Sequence, residues 1–261
     1  MKRLSILIPV VLLLVNGCKR DGCNKPFAFN YDPQGTSDIN CVWEPMQLTI
    51  DYKVMYGDEE VNLRANQEFV TEDGQTISFE YFGMYFSEIA LYEGAKKTVL
   101  DNDVMLLLDT NKVFTSLYLP TDNIDSIGFN IGINAERNDT LDPSTYSEGP
   151  LAMQFPNMYW GWTTGYIFSS FTGVVDTSAA ADGTGNAVFE YHIGSNELLR
   201  MATLNSAPIR NQNMLNYTIE VDLQKVLKNV DFKSELSTHT FNNLEVATKI
   251  ADNCQNAFIS K

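Results

Sequence analysis

Three features of the sequence predict an all-β protein, an antiparallel β-sandwich with long loops and a short C-terminal helix. Segments of alternating polarity recur from residue 46 onward, turn-forming residues separate them, and only the last stretch carries a helical period. In 48–56, Leu48, Ile50, Tyr52, Val54 and Tyr56 alternate with Gln47, Thr49, Asp51 and Lys53, the pattern of a half-buried strand. Asp73-Gly74 is a hairpin turn signal leading into 76–92. There Ile77, Phe79, Tyr81, Tyr85, Ile89 and Leu91 fall on one parity and predict one buried face. Val104 to Leu108 is a continuous apolar run, a strand covered on both faces.

Ile127, Phe129, Ile131 and Ile133 alternate with Gly128, Asn130, Gly132 and Asn134. Phe189, Tyr191 and Ile193 oppose Val188, Glu190 and His192. Leu215, Tyr217, Ile219, Val221 and Leu223 oppose Asn216, Thr218, Glu220 and Asp222, the clearest alternation of all. Then the period changes. Ala247, Ile250, Ala251, Cys254 and Phe258 recur at helical spacing after Asn242-Asn243, which predicts a capped helix over 244–258. Residues 134–150 and 173–186, rich in Asp, Thr, Ser and Gly, read as long polar loops, where such folds carry function.

Ahead of the sandwich the chain divides into two shorter pieces. Residues 1–17 open with Lys2-Arg3 and continue in an apolar run from Leu4 to Val15, a signal peptide in order and length. The run is too short for the roughly 20 apolar residues of a transmembrane helix. It ends Val15-Asn16-Gly17-Cys18, which resembles the lipobox of bacterial lipoproteins and makes Cys18 the expected lipid attachment. One acyl chain binds membranes only marginally, so a stable anchor takes more than one. The expectation is a cell-envelope protein tethered by its lipid, and Lys19 after the Cys favours the outer membrane over the inner. Residues 18–45 form a linker rich in turn formers, and in an exported chain Cys23 and Cys41 read as a disulfide. Ala28, Asn30, Tyr31, Pro33, Asp38 and Cys41 resemble a Cys-bracketed segment of exported Bacteroidota proteins. Cys254, the cysteine left over, reads as a small buried apolar residue. Residues 46–261 are then the sandwich domain.

The precursor carries a net charge of −15, and loss of Lys2 and Arg3 takes it to −17. Such a balance argues against nucleic acid as a partner, since phosphates attract cations. No Gly-x-Ser-x-Gly, His-Glu-x-x-His or Gly-x-Gly-x-x-Gly occurs, so nothing in the sequence points to an enzyme. Only two histidines are present, His192 and His239. By parity His192 faces away from Phe189, Tyr191 and Ile193, toward solvent or a groove, as a metal ligand or as a hydrogen-bonded strand histidine. Met158, Trp160 and Trp162 share one parity. The tryptophans read either as core or as aromatics lining a site.

Several blocks together resemble the MbnP-like family of exported proteins. They are Tyr85-Phe86-Ser87-Glu88-Ile89-Ala90-Leu91, Gly128-Phe129-Asn130-Ile131-Gly132-Ile133, Met158-Tyr159-Trp160-Gly161-Trp162-Thr163-Thr164-Gly165-Tyr166-Ile167-Phe168 and Tyr191-His192-Ile193-Gly194. Ser237-Thr238-His239-Thr240 and Ile250-Ala251-Asp252-Asn253 look like the family's tail. The resemblance spans about 46–258, and Met-Tyr-Trp-x-Trp-x-x-Gly-Tyr is its specific part. It implies a β-sandwich that, in methanotroph members, binds copper through histidines beside an oxidisable tryptophan, with a dihaem peroxidase-type partner performing that oxidation. On this chain it implies His192, His239 and Met158 as metal donors, with Trp160 and Trp162 lining the site. It also implies a histidine on the first strand, where this chain has Asp51-Tyr52-Lys53-Val54. Copper storage or delivery is the expected role. A metal-free surface interaction module keeping only the sandwich is the alternative.

Overall fold

A computed structural model describes residues 20–26, 28–37, 40–43, 46–101, 103–108, 112–117, 123–161, 165–178, 186–211 and 214–261. The signal segment, Cys18 and Trp162 lie outside the described residues. The chain forms two compact units, Met1–Glu44 and Pro45–Lys261.

In the first unit, β1 (Arg20–Cys23) pairs in parallel with β2 (Gly35–Ser37). Cys23 is bonded to Cys41, as the bracketed segment predicts. With so little apolar surface to bury, the loop is held by its disulfide and by hydrogen bonds, those of Asn30 among them. Asn30 Nδ2 donates to the Asn40 carbonyl at 2.7 Å, and its Oδ1 accepts from the Val42 amide at 2.7 Å.

The second unit is the sandwich. Its larger sheet contains β5 (Glu68–Val70), β6 (Thr76–Glu93), β7 (Lys96–Val99), β8 (Met105–Leu108), β10 (Ser126–Ile131), β11 (Tyr159–Trp160), β12 (Gly165–Val175), β13 (Ala187–Gly194), β14 (Arg200–Leu204) and β17 (Ser237–His239). The spine of this sheet runs β14-β10-β6-β12-β13-β17. The smaller sheet contains β3 (Met46–Tyr56), β4 (Glu59–Glu60), β9 (Lys112–Leu117), β15 (Ile209–Asn211), β16 (Met214–Asp222) and β18 (Phe258–Ser260). Most neighbours are antiparallel, but β3–β16 and β13–β17 are parallel, so both sheets are mixed. Parallel pairing requires a long crossover between the partners, which no local alternation of residues reveals. The main core fills the space between the sheets. Tyr52 of β3 stacks on Phe86 of β6 at 5.2 Å across that space.

The strand β6 departs from the expected single buried face. Ile77 and Phe79 point into the main core, then Phe82, Met84 and Phe86, then Ile89 and Leu91. Two irregularities cause the switches. Thr172 pairs with Tyr81 but Gly173 with Phe79, leaving Glu80 as an extra residue. Glu88, at φ 51°, stands at the second shift, between the pairings Gly128–Ala90 and Asn130–Ser87. Each extra residue rotates the following side chains to the other face. Tyr81 and Tyr85 therefore lie on the outer face, where a second, smaller core forms around Tyr85, Ile133, Met158, Tyr166 and Phe168.

The 134–150 segment is not all loop. Asn134 caps α1 (Ala135–Thr140) by accepting the Arg137 amide at 3.0 Å. Likewise Gly173–Val175 belong to β12, and residues 179–185 lie outside the described residues. A short turn of helix, α2 (Leu223–Val226), follows β16. The predicted C-terminal helix forms as α3 (Leu244–Cys254), with Asn243 as its cap, and stops short of Phe258. Phe258 instead opens β18 opposite Val221, and its ring meets those of Phe86 and Phe129. Its spacing from Cys254 fits a helix, but a strand buries the ring between the sheets. Cys254 is buried and reduced, and burial pushes its thiol up to about 12. Among the described residues no helix is long and apolar enough to cross a membrane.

Candidate metal centre

The outer face of the larger sheet brings the two histidines together. Across four neighbouring strands Gly83, Ser170, His192 and His239 stand in one register row. Side chains in such a row point to the same face. Tyr191, one residue from His192, is completely buried on the inner face, so the parity argument for His192 holds. His239 arrives from 47 positions further on, carried beside His192 by the parallel β13–β17 pairing.

Thr240 fixes that junction. Its hydroxyl donates to the His192 carbonyl at 3.0 Å and accepts the Gly194 amide at 2.9 Å. Its backbone, at φ 62°, turns the chain out of β17 directly after His239. A non-glycine residue in that region costs about 1–3 kcal/mol and persists only where surrounding contacts determine it. Asn242 Oδ1 also accepts the His239 amide, at 2.6 Å.

The imidazoles touch: Nδ1 of His192 lies 3.0 Å from Nδ1 of His239. On the opposite side of both rings stands Glu190, two residues before His192 on the same strand face. Its Oε1 is 3.4 Å from His192 Nε2, and its Oε2 is 3.6 Å from His239 Nε2. His192 is the more enclosed ring, with 18 % of its side chain exposed against 46 % for His239. Burial holds the His192 imidazole below its ordinary pKa, opposed by the Glu190 carboxylate and reinforced by His239. The neutral ring, which keeps a lone pair for a metal, is thereby favoured.

Trp160 borders both rings, with centroids 5.9 Å from His192 and 6.4 Å from His239. It is delivered by the hairpin of β11 and β12, in which Trp160 pairs with Gly165. Gly165 sits at φ +75°, and a Cβ there would meet Asn138 Oδ1 at 2.4 Å and its carbonyl at 2.7 Å. That close approach lets Asn138 Oδ1 accept the Tyr166 amide at 2.8 Å, which ties α1 to the hairpin. The excursion between β10 and β12 is pinned to the outer face by Tyr85 and Tyr166. Their hydroxyls donate to the carbonyls of Pro150 and Leu151 at 2.9 and 2.8 Å.

Met158 belongs to the same surface but not to the imidazole contact. It is 1 % exposed, and its Sδ and Cε pack 3.2 Å from where a Cβ on Gly83 would be. Gly83 is two strands from His192, roughly 9.5 Å at ordinary strand spacing. The Tyr81 hydroxyl lies over the same glycine, 2.7 Å from that Cβ position, and has no hydrogen-bond partner among the described residues. Burial pushes its pKa up to about 12. On β3, Lys53 stands where the resemblance implies a histidine, and it pairs with Glu60 at 4.0 Å.

The donor chemistry fits a first-row transition ion such as copper, for which imidazole nitrogen is a good ligand. Two donors, each about 2.0–2.1 Å from one ion, are 3.0 Å apart when they subtend roughly 95°. That angle suits adjacent positions of a tetragonal or tetrahedral site; a linear pair would need about 4 Å. Among the described residues no three His, Cys, Asp or Glu side chains open around a common metal-sized point. Glu190 was not singled out from the sequence. The signal available for it was Glu190-Tyr191-His192, a carboxylate and an imidazole on one face of a predicted strand.

The fold and this face define an all-β sandwich protein with an imidazole pair and a bordering tryptophan on the outside of its larger sheet. The MbnP family model matches residues 44–245, and the chain belongs to that family. Among solved structures the chain is similar to MbnP from Methylosinus trichosporium, at 12 % identity and a TM-score of 0.49, over 72 % of this chain and 79 % of that one. No curated protein matches the chain.

Proposed function

We propose that the protein binds a copper ion at His192 and His239 and serves copper storage or delivery in the cell envelope. The observation carrying this reading is the imidazole pair itself: the chain's only two histidines, 47 positions apart, stand in register with Nδ1 atoms 3.0 Å apart. Burial of His192 supports it further, because a ring kept neutral binds metal without first losing a proton. Trp160 would border the ion, and a dihaem peroxidase-type partner would act on that ring. Met158, held over Gly83 two strands from His192, would serve as a donor only if it moved toward the pair. A bound copper ion would supply a redox-active centre. The two imidazoles would hold that ion, with the Trp160 ring bordering them.

The test is titration of the full chain with Cu(I) and Cu(II) against a competing chelator. Binding tighter than micromolar is expected, with most of the affinity lost in His192→Ala, since no third histidine can substitute. Absence of such binding, or wild-type affinity in His192→Ala, would leave a metal-free surface interaction module as the better account.

Tethering through lipid on Cys18 belongs to the same proposal and rests on Val15-Asn16-Gly17-Cys18. Cys18→Ser should move the expressed protein from the detergent phase to the aqueous phase. A Ser variant that keeps the wild type's lipid mass would refute the anchor.

A further inference from the structure

Resting on the copper reading above, we propose that Glu190 is the positioning residue of the imidazole pair. Its carboxylate keeps a proton on Nε2 of both rings and so presents the two Nδ1 atoms to the metal. An ionised carboxylate can only accept hydrogen bonds, so a ring nitrogen facing it is stabilised as N–H and opposed as a lone pair. Glu190 faces both Nε2 atoms at once, one with each oxygen, at 3.4 and 3.6 Å. These separations exceed a direct N–H···O bond, so the preference is electrostatic and moderate in size. In each ring the proton on Nε2 leaves the lone pair on Nδ1.

The Nδ1 atoms then meet at 3.0 Å, a spacing at which two lone pairs repel unless a proton or a cation lies between them. The backbone enforces this arrangement. Glu190 and His192 alternate on one face of β13, and the parallel register sets His239 beside His192 and Ser237 beside Glu190. No sliding of β17 by one residue is compatible with it, because Thr238 would then leave the interior, where it is fully buried. A carboxylate that orients ligating histidines from behind is a recurrent outer-shell device, and its loss typically costs about 10–100-fold in metal affinity. Glu190 is 41 % exposed, so about tenfold is expected here.

The experiment uses histidine 15N chemical shifts of the full chain, first without metal and then loaded with Cu(I), which is diamagnetic. In the metal-free protein the Nε2–H fraction of both rings should fall in Glu190→Gln and return in Glu190→Asp. Gln preserves shape at an exposed position, so a fold defect is not expected to intervene. In the loaded wild type both Nδ1 atoms should carry the metal and both Nε2 atoms a proton. Chelator competition should show Cu(I) held about tenfold more weakly by Glu190→Gln. Unchanged tautomers in Glu190→Gln would overturn the proposal. So would a metal bound at Nε2 with Glu190 as a third ligand. If the tautomers respond while the wild type takes up no Cu(I), the copper reading fails and the positioning role of Glu190 stands.

Discussion

On its inner face β13 presents Phe189, Tyr191 and Ile193, none of them more than 2 % exposed and all part of the main core. On its outer face the same strand presents Glu190 and His192, polar groups whose contacts include an imidazole, a carboxylate and a tilted tryptophan ring. The inner residues are held mainly by volume and apolarity, with one hydrogen bond from the Tyr191 hydroxyl to the Glu235 carbonyl at 2.8 Å. The outer residues are held mainly by polar contacts, each of which depends on a particular atom in a particular place. Stability therefore lies with one face of this strand, and the candidate chemistry with the other.

The largest expected effect separates the two faces directly. Phe189→Ala removes a ring packed against Phe79, Tyr191 and Phe232 and should cost about 3–5 kcal/mol. His192→Ala, three residues along the strand, should cost under about 1 kcal/mol while removing most of the copper affinity. Urea denaturation of the two variants measures this; equal losses would erase the distinction between the faces.

The hairpin that brings Trp160 to the outer face gives a smaller and more specific effect. Gly165→Ala meets Asn138 and an unfavourable φ together and should cost about 2–3 kcal/mol. Gly149→Ala has the same handed backbone, at φ +95°, but open space around its Cβ, and should cost about 1 kcal/mol. Thermal unfolding of the pair isolates the steric part. If Gly165→Ala is no worse than Gly149→Ala, α1 does not brace the hairpin.

The smallest effect at neutral pH concerns Cys254, buried in the main core. Its ionisation is raised in the folded chain from the ordinary 9.0 to about 12 by burial. Folding thus favours the neutral thiol. Its contribution to stability is complete below pH 9 and is lost as pH rises from about 9 toward about 12. Cys254→Ala should flatten that part of the alkaline stability curve, and the native thiol should resist a thiol reagent until denaturant is added. Rapid labelling of the folded chain would place Cys254 outside the core.

Alternation was enough to recognise the sandwich once only the last stretch carried a helical period, because a one-sided apolar face needs a covering layer and most of the chain could supply that layer only as a second sheet. It also placed His192 on the face away from Tyr191, and two cysteines bracketing a short loop in a chain read as exported pointed to the Cys23–Cys41 bond. The same alternation was misleading within β6, where bulges at Glu80 and Glu88 reversed the faces and sent Tyr81 and Tyr85 outward. It was misleading again at Phe258, where helical spacing concealed a return strand. Local periodicity reports what one segment would bury, not which strand lies beside it. Only the tertiary structure brought His239 alongside His192, because a parallel pair is joined by a crossover of unrestricted length. The tertiary structure also set Glu190 behind both rings and Trp160 at their edge, through contacts between residues far apart in the chain.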